Sequence, residues 1–153
     1  MSDAGTARVT TVVAVDPATA FSVFTSEVDA WWRRGPRFRV PDDHRLCFDG
    51  DRFVAYRESG EVREMGRVLE WKPGERLLFT FCAASFEADQ STEVEIRFEA
   101  RDGGGTRVTL LHRGWDTIPD DAPARRGLVG DAFIRSMGLW WADLLVSLRA
   151  RCT

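Results

Sequence analysis

The sequence predicts an α+β fold: a curved antiparallel sheet of about six or seven strands wrapped around a long C-terminal helix, with two short helices after strand 1. Three observations carry this expectation. Apolar–polar alternation recurs in short segments between residues 45 and 112, and the turns joining them are too short for helical crossovers. The period then changes, because Phe133, Met137, Trp140, Trp141, Leu144, Leu145 and Leu148 make one stripe along a helix. A one-faced sheet and a helix with a wide apolar stripe must bury those surfaces against each other. Where the sheet curves, the space between them is a pocket.

The elements follow in order. Val9, Thr11, Val13 and Val15 alternate with Arg8, Thr10, Val12 and Ala14, giving a first strand with a β-branched face. Asp16-Pro17 stops it: Asp16 is a good N-cap and Pro17 suits the first helical position, so a helix runs on through Phe21 and Phe24. Asp29 to Arg34 reads as a second short helix, ended by Gly35-Pro36. Asp49-Gly50 separates strand 46–48 from strand 53–56. Ser59-Gly60 turns into a long strand, 62–71, where Gly66 marks a bulge or strong bend. Pro73-Gly74 leads to strand 76–81. In the next strand Val94, Ile96 and Phe98 alternate with Glu93, Glu95, Arg97 and Glu99, so one face is buried and the other wet. Asp102 to Gly105 turns into the last strand, Thr106 to His112. The closing helix should run from about 131 to 149, roughly 28 Å, with an irregular or two-part start because Gly127 and Gly130 weaken its first turns.

Length and composition narrow the function classes. A chain of 153 residues fits a single domain, 1–153, with residues 1–6 as a frayed leader. Net charge is −3 and the basic residues are scattered, which argues against a nucleic-acid partner. No apolar run approaches the roughly 20 residues of a membrane span, and the N-terminus lacks a secretory pattern, so no membrane insertion and a cytoplasmic location are expected. Three dispersed cysteines point to reduced thiols, with Cys47 and Cys82 as small buried hydrophobes. Lys72 is the only lysine; its turn, 71–74, should leave it solvated and unactivated for Schiff-base chemistry. Two histidines and scattered cysteines do not supply a spaced metal-ligand set, and Asp42, Asp43 and His44 read as a solvated charged loop. There is no nucleophile elbow, phosphate loop or dinucleotide fingerprint, so neither metal nor cofactor is expected.

Three stretches together are similar to a known family: Pro17 to Phe24 through Trp31-Trp32, Gly66 to Pro73 with Arg76-Leu77, and Gly105 to Trp115. They resemble the START-like helix-grip superfamily (SRPBCC), and within it the activator of Hsp90 ATPase homologue-like family. The resemblance covers almost the whole chain and implies the helix-grip fold. It implies little about activity, because the superfamily includes lipid carriers, hormone receptors, polyketide cyclases and co-chaperone modules. The departure is Met65, where family members tend to carry Trp before Gly-Arg-Val; it bears on pocket volume.

The aromatic set is the strongest functional signal. On the helix, Phe133, Met137, Trp140, Trp141 and Leu144 are candidate ligand-binding residues. From the sheet come Phe53, Met65, Phe79, Phe81, Phe98 and Leu110, and from the segment before it Trp32 and Phe38. Trp140 and Trp141 lie about 100° apart on a helix, so one should face the sheet or pocket and the other the pocket mouth or an exposed patch. Tyr56 and His112 are the candidate polar ligand contacts, with Arg67 and Glu70 further off and Arg113 outward. His112 would be the acid–base residue of an enzyme, against the plainer reading of a buried histidine bonded to backbone near Gly114.

Three functions follow. The first is a non-enzymatic or weakly catalytic protein that binds a hydrophobic small molecule, lipid-like or aromatic and polyketide-like, between sheet and helix. The second is a cyclase- or hydratase-type enzyme using the same pocket with His112 as acid/base. The third, implied by the resemblance, is a module that stimulates a chaperone ATPase through a chaperone contact; a homodimer is a separate partner expectation.

Overall fold

The expected periodicities form these elements in the computed structural model, which describes residues 5–38, 40–82 and 86–153, the side chain of Pro36 apart. Strand β1 (Ala7–Val13) is followed by α1 (Pro17–Ser26) and a single turn, α2 (Val28–Trp31). Six strands come next: β2 (Arg45–Asp49), β3 (Arg52–Tyr56), β4 (Val62–Lys72), β5 (Arg76–Phe81), β6 (Thr92–Ala100) and β7 (Thr106–Arg113). The chain closes with α3 (Gly130–Arg151). All neighbours pair antiparallel in the order β1-β7-β6-β5-β4-β3-β2, a curved open sheet. This is the helix-grip architecture.

Local chemistry accounts for the boundaries. Asp16 caps α1, its carboxylate accepting from the Thr19 N–H at 2.8 Å, with Pro17 in the first turn. The second helix is shorter than residues 29–34, because Trp32 turns to extended backbone and sends its ring into the core. Arg34 holds that exit, donating to the carbonyls of Trp32 (2.6 Å), Asp29 (3.2 Å) and His44 (3.1 Å). Gly66 stands where the bend was expected. The register skips Met65 beside it, and a Cβ on Gly66 would sit 1.8 Å from the Thr80 carbonyl oxygen, so no side chain fits. The start of α3 is in two parts as expected: a 3₁₀ turn, Pro123–Arg125, breaks at Arg126 and Gly127, both at positive φ.

Two expectations need correction. Glu95 belongs to the alternation that reads as wet, yet it is 1% exposed, because three arginine stems from β5, β6 and β7 lie over it. Cys47 and Cys82 are half-buried rather than buried, while Cys152 is buried; burial pushes the Cys47 and Cys152 thiols up. Of the leader, residues 1–4 lie outside the described residues. Gly5 is anchored, its carbonyl accepting from the Trp115 N–H at 3.1 Å. No described helix is long and apolar enough to cross a membrane.

Candidate functional site

Trp32 is the hub of an aromatic cluster beneath α3. Its ring lies 5.8 Å from Phe53, 5.8 Å from Trp140 and 5.5 Å from Trp141, and Phe53 continues to Phe79 at 5.5 Å. Met65, Leu110 and Leu144 are buried in the same core. Phe98 sits against Phe21 and Phe24 of α1, at 5.3 and 6.1 Å. Such edge and offset contacts add roughly 0.5–1.5 kcal/mol each beyond burial.

The other polar candidates do not converge there. Tyr56 is half-buried, three residues on from inward-facing Phe53, so strand alternation sets it on the opposite face. Arg67 pairs with Glu64 (3.2 Å) and Asp51 (3.7 Å) on the surface. Glu70 pairs with Lys72 (3.0 Å) and Arg76. Arg113 points outward as expected, to Glu93 (3.4 Å) and Glu95 (2.9 Å). In the 42–44 loop, Asp43 is taken up by Arg57 and His44; the hydrogen bond from Arg57 is the first cause holding its carboxyl low.

His112 is fully buried on the inner face, beside Phe81 (5.5 Å) and Trp115 (5.0 Å). Both ring nitrogens meet side chains, Trp141 and Thr92, where backbone near Gly114 was expected. The indole N–H of Trp141 donates to Nδ1 at 2.9 Å, and Nε2 lies 2.7 Å from Thr92 Oγ1. An indole nitrogen can only donate, so Nδ1 is the acceptor and Nε2 carries the hydrogen. Thr92 Oγ1 accepts from it and donates to the Phe81 carbonyl at 3.3 Å. The imidazole is thus neutral and oriented, and taking a proton at Nδ1 would set two donors against each other.

The described residues also form a solvent-open groove of about 360 Å³ along the N-terminal half of α3. Phe133, Met137 and Trp140, three of the expected ligand contacts, line it, with Leu128 and Leu139 at its lip. Trp140 thus stands at a mouth while Trp141 faces the sheet, the division expected from their 100° offset. The Trp140 indole donates to the Arg37 carbonyl at 2.7 Å, which ties α3 to the turn after α2. The polar lining is unexpected: Arg37, Arg125, Arg126, Arg135 and Ser136. Arg125 is 5% exposed. Its Nε donates to the carbonyls of Ile118 (3.2 Å) and Pro119 (3.1 Å), its Nη2 to those of Trp115 (2.7 Å) and Ile118 (3.0 Å), and its guanidinium lies 4.9 Å from the Phe133 ring centre. Nearby, the buried Trp115 Nε1–H has no acceptor among the described residues. Arg125-Arg126 after Pro123 was a visible signal, but its convergence with Arg37 and Arg135 was not.

The family model for activator of Hsp90 ATPase homolog 1-like proteins matches residues 14–148. The chain belongs to this family. Solved structures agree in fold. The self-sacrificing resistance protein CalC from Micromonospora echinospora is 20% identical, with TM-score 0.65 over 96% of this chain and 93% of that one. Protein MLL2253 from Mesorhizobium loti is 18% identical, with TM-score 0.65 over 95% and 94%. The Aha1 dimer from Colwellia psychrerythraea is 17% identical, with TM-score 0.64 over 96% and 95%. No curated protein sequence matches significantly.

Proposed function

We propose that this family member binds a hydrophobic small molecule, lipid-like or aromatic and polyketide-like, between the sheet and α3. The observation that supports the reading is the groove beside α3, where the apolar stripe of the helix leaves Phe133, Met137 and Trp140 lining a solvent-open concavity in which no strand residue takes part. Its volume of about 360 Å³ is at the lower end of the roughly 300–1,000 Å³ usual for small-molecule sites. Trp32, Phe53, Phe79 and Trp141 behind it form an apolar wall that an occupant enters by displacing side chains. His112 weighs against the cyclase or hydratase alternative, since acid–base work would first break its bond from Trp141.

Native mass spectrometry of freshly purified protein should reveal a co-purified apolar compound. Added dodecanol or dodecanoate should shift the Trp140 indole N–H resonance, assigned by its loss in Trp140→Phe. No bound mass, together with no response to either compound, would overturn the reading. The family match and the Aha1 dimer fold favour a second reading, a chaperone-directed module that forms a homodimer. Stimulation of a chaperone ATPase by the purified protein would support it; a flat rate would reject it.

A further inference from the structure

We propose that the groove selects an amphiphilic monoanion, an apolar body ending in a carboxylate, with the arginines on its wall reading the head group. This rests on the small-molecule reading above and names the ligand's class. Every charged residue lining the groove is an arginine and none is acidic, although the chain carries a net charge of −3. Asp143 pairs with Arg37, which accounts for one of the four. Arg125 and Arg135 have no carboxylate partner among the described residues.

Arg125 carries the argument furthest. A guanidinium withdrawn from water to this degree is normally met by a carboxylate, because leaving it unmatched is costly. Here backbone carbonyls take the Nε and Nη2 hydrogens, and Nη1 has no acceptor among the described residues. Carbonyl dipoles orient the group without cancelling its charge. A carboxylate in the groove would complete the set with charge-assisted bonds, for which the guanidinium fork is well shaped. Arg126 and Arg135 add exposed positive charge at the rim. Leu128 and Leu139, 40% and 63% exposed, supply the apolar lip along which the tail would lie.

The test compares dodecanoate with dodecanol, matched in tail, each titrated below self-association and read by the Trp140 indole resonance. Dodecanoate should bind at least about tenfold tighter, equivalent to about 1.4 kcal/mol. The preference should shrink severalfold when salt rises from about 0.05 to about 0.5 M, since rim charges are screened. Arg135→Glu should cut the preference ratio severalfold, and Arg125→Gln should nearly abolish it. Should Arg125→Gln fail to fold, the exposed Arg135→Glu and the salt series still decide. Equal affinities, or a preference that survives both salt and Arg135→Glu, would overturn the proposal while leaving the pocket reading intact. Silence with both compounds would sink both.

Discussion

Glu95 and Arg125 are both charged side chains withdrawn from solvent, and they are treated in opposite ways. Glu95 lies on the outer face of the sheet within reach of Arg76 (2.6 Å), Arg97 (2.8 Å) and Arg113 (2.9 Å). Burial pushes its carboxyl up, but the hydrogen bonds from Arg97, Arg76 and Arg113 together outweigh this and hold it at about 2. Arg125, at the start of α3, has carbonyls and an aromatic ring but no carboxylate. The first arrangement is complete within the chain and braces three strands. The second leaves a charge for something outside the chain to meet. Charge balance, rather than burial alone, therefore separates a structural cluster from a candidate binding site.

The largest effect should come from breaking the completed cluster. Glu95→Gln leaves three guanidinium groups facing one another, and should lower the unfolding free energy by about 2–3 kcal/mol in denaturant titrations. The arginines are 32–51% exposed, so solvent screening keeps the loss below that of a fully buried pair. The pH dependence has a definite sign. A carboxyl held below its unfolded value contributes stability above about pH 4.5 that is lost as pH falls toward about 2. Acid denaturation over that window should thus be steeper for wild type than for Glu95→Gln. Equal slopes would mean the cluster is solvated and the contrast with Arg125 is lost.

A smaller effect sharpens the comparison with a neutral polar group. Trp141→Phe removes the donor to His112 Nδ1 and leaves a buried acceptor unpaired. Thermal melts should then show a loss of about 1–2 kcal/mol. Wild-type stability in that variant would refute the assigned tautomer. The smallest effect belongs to the groove rim. Arg135 is exposed and makes no ion pair among the described residues, so Arg135→Ala should change stability by less than about 0.5 kcal/mol. A larger loss would make Arg135 a structural residue and weaken its role in ligand reading.

Much of the fold was legible because its signals are local. Asp16-Pro17 announced α1, Gly66 announced the bend, and Gly127 with Gly130 announced the broken entry to α3. The aromatic stripe named Trp140 and Trp141 and their division between mouth and sheet. Tyr56 lies an odd number of residues from inward-facing Phe53, so the strand's own period already sets the two on opposite faces. Glu95 was misjudged because the stems that bury it come mostly from neighbouring strands.

By itself the sequence determined the order of elements, the inner face of the sheet and the apolar stripe of α3, since each depends on the spacing of residues along one element. Only the tertiary structure decided that Arg37, Arg125, Arg126 and Arg135 share one groove, that His112 is held neutral between Trp141 and Thr92, and that Glu95 is sealed under three arginines. The physical reason is that desolvation and charge balance are sums over groups distant in the chain, and no local period records them.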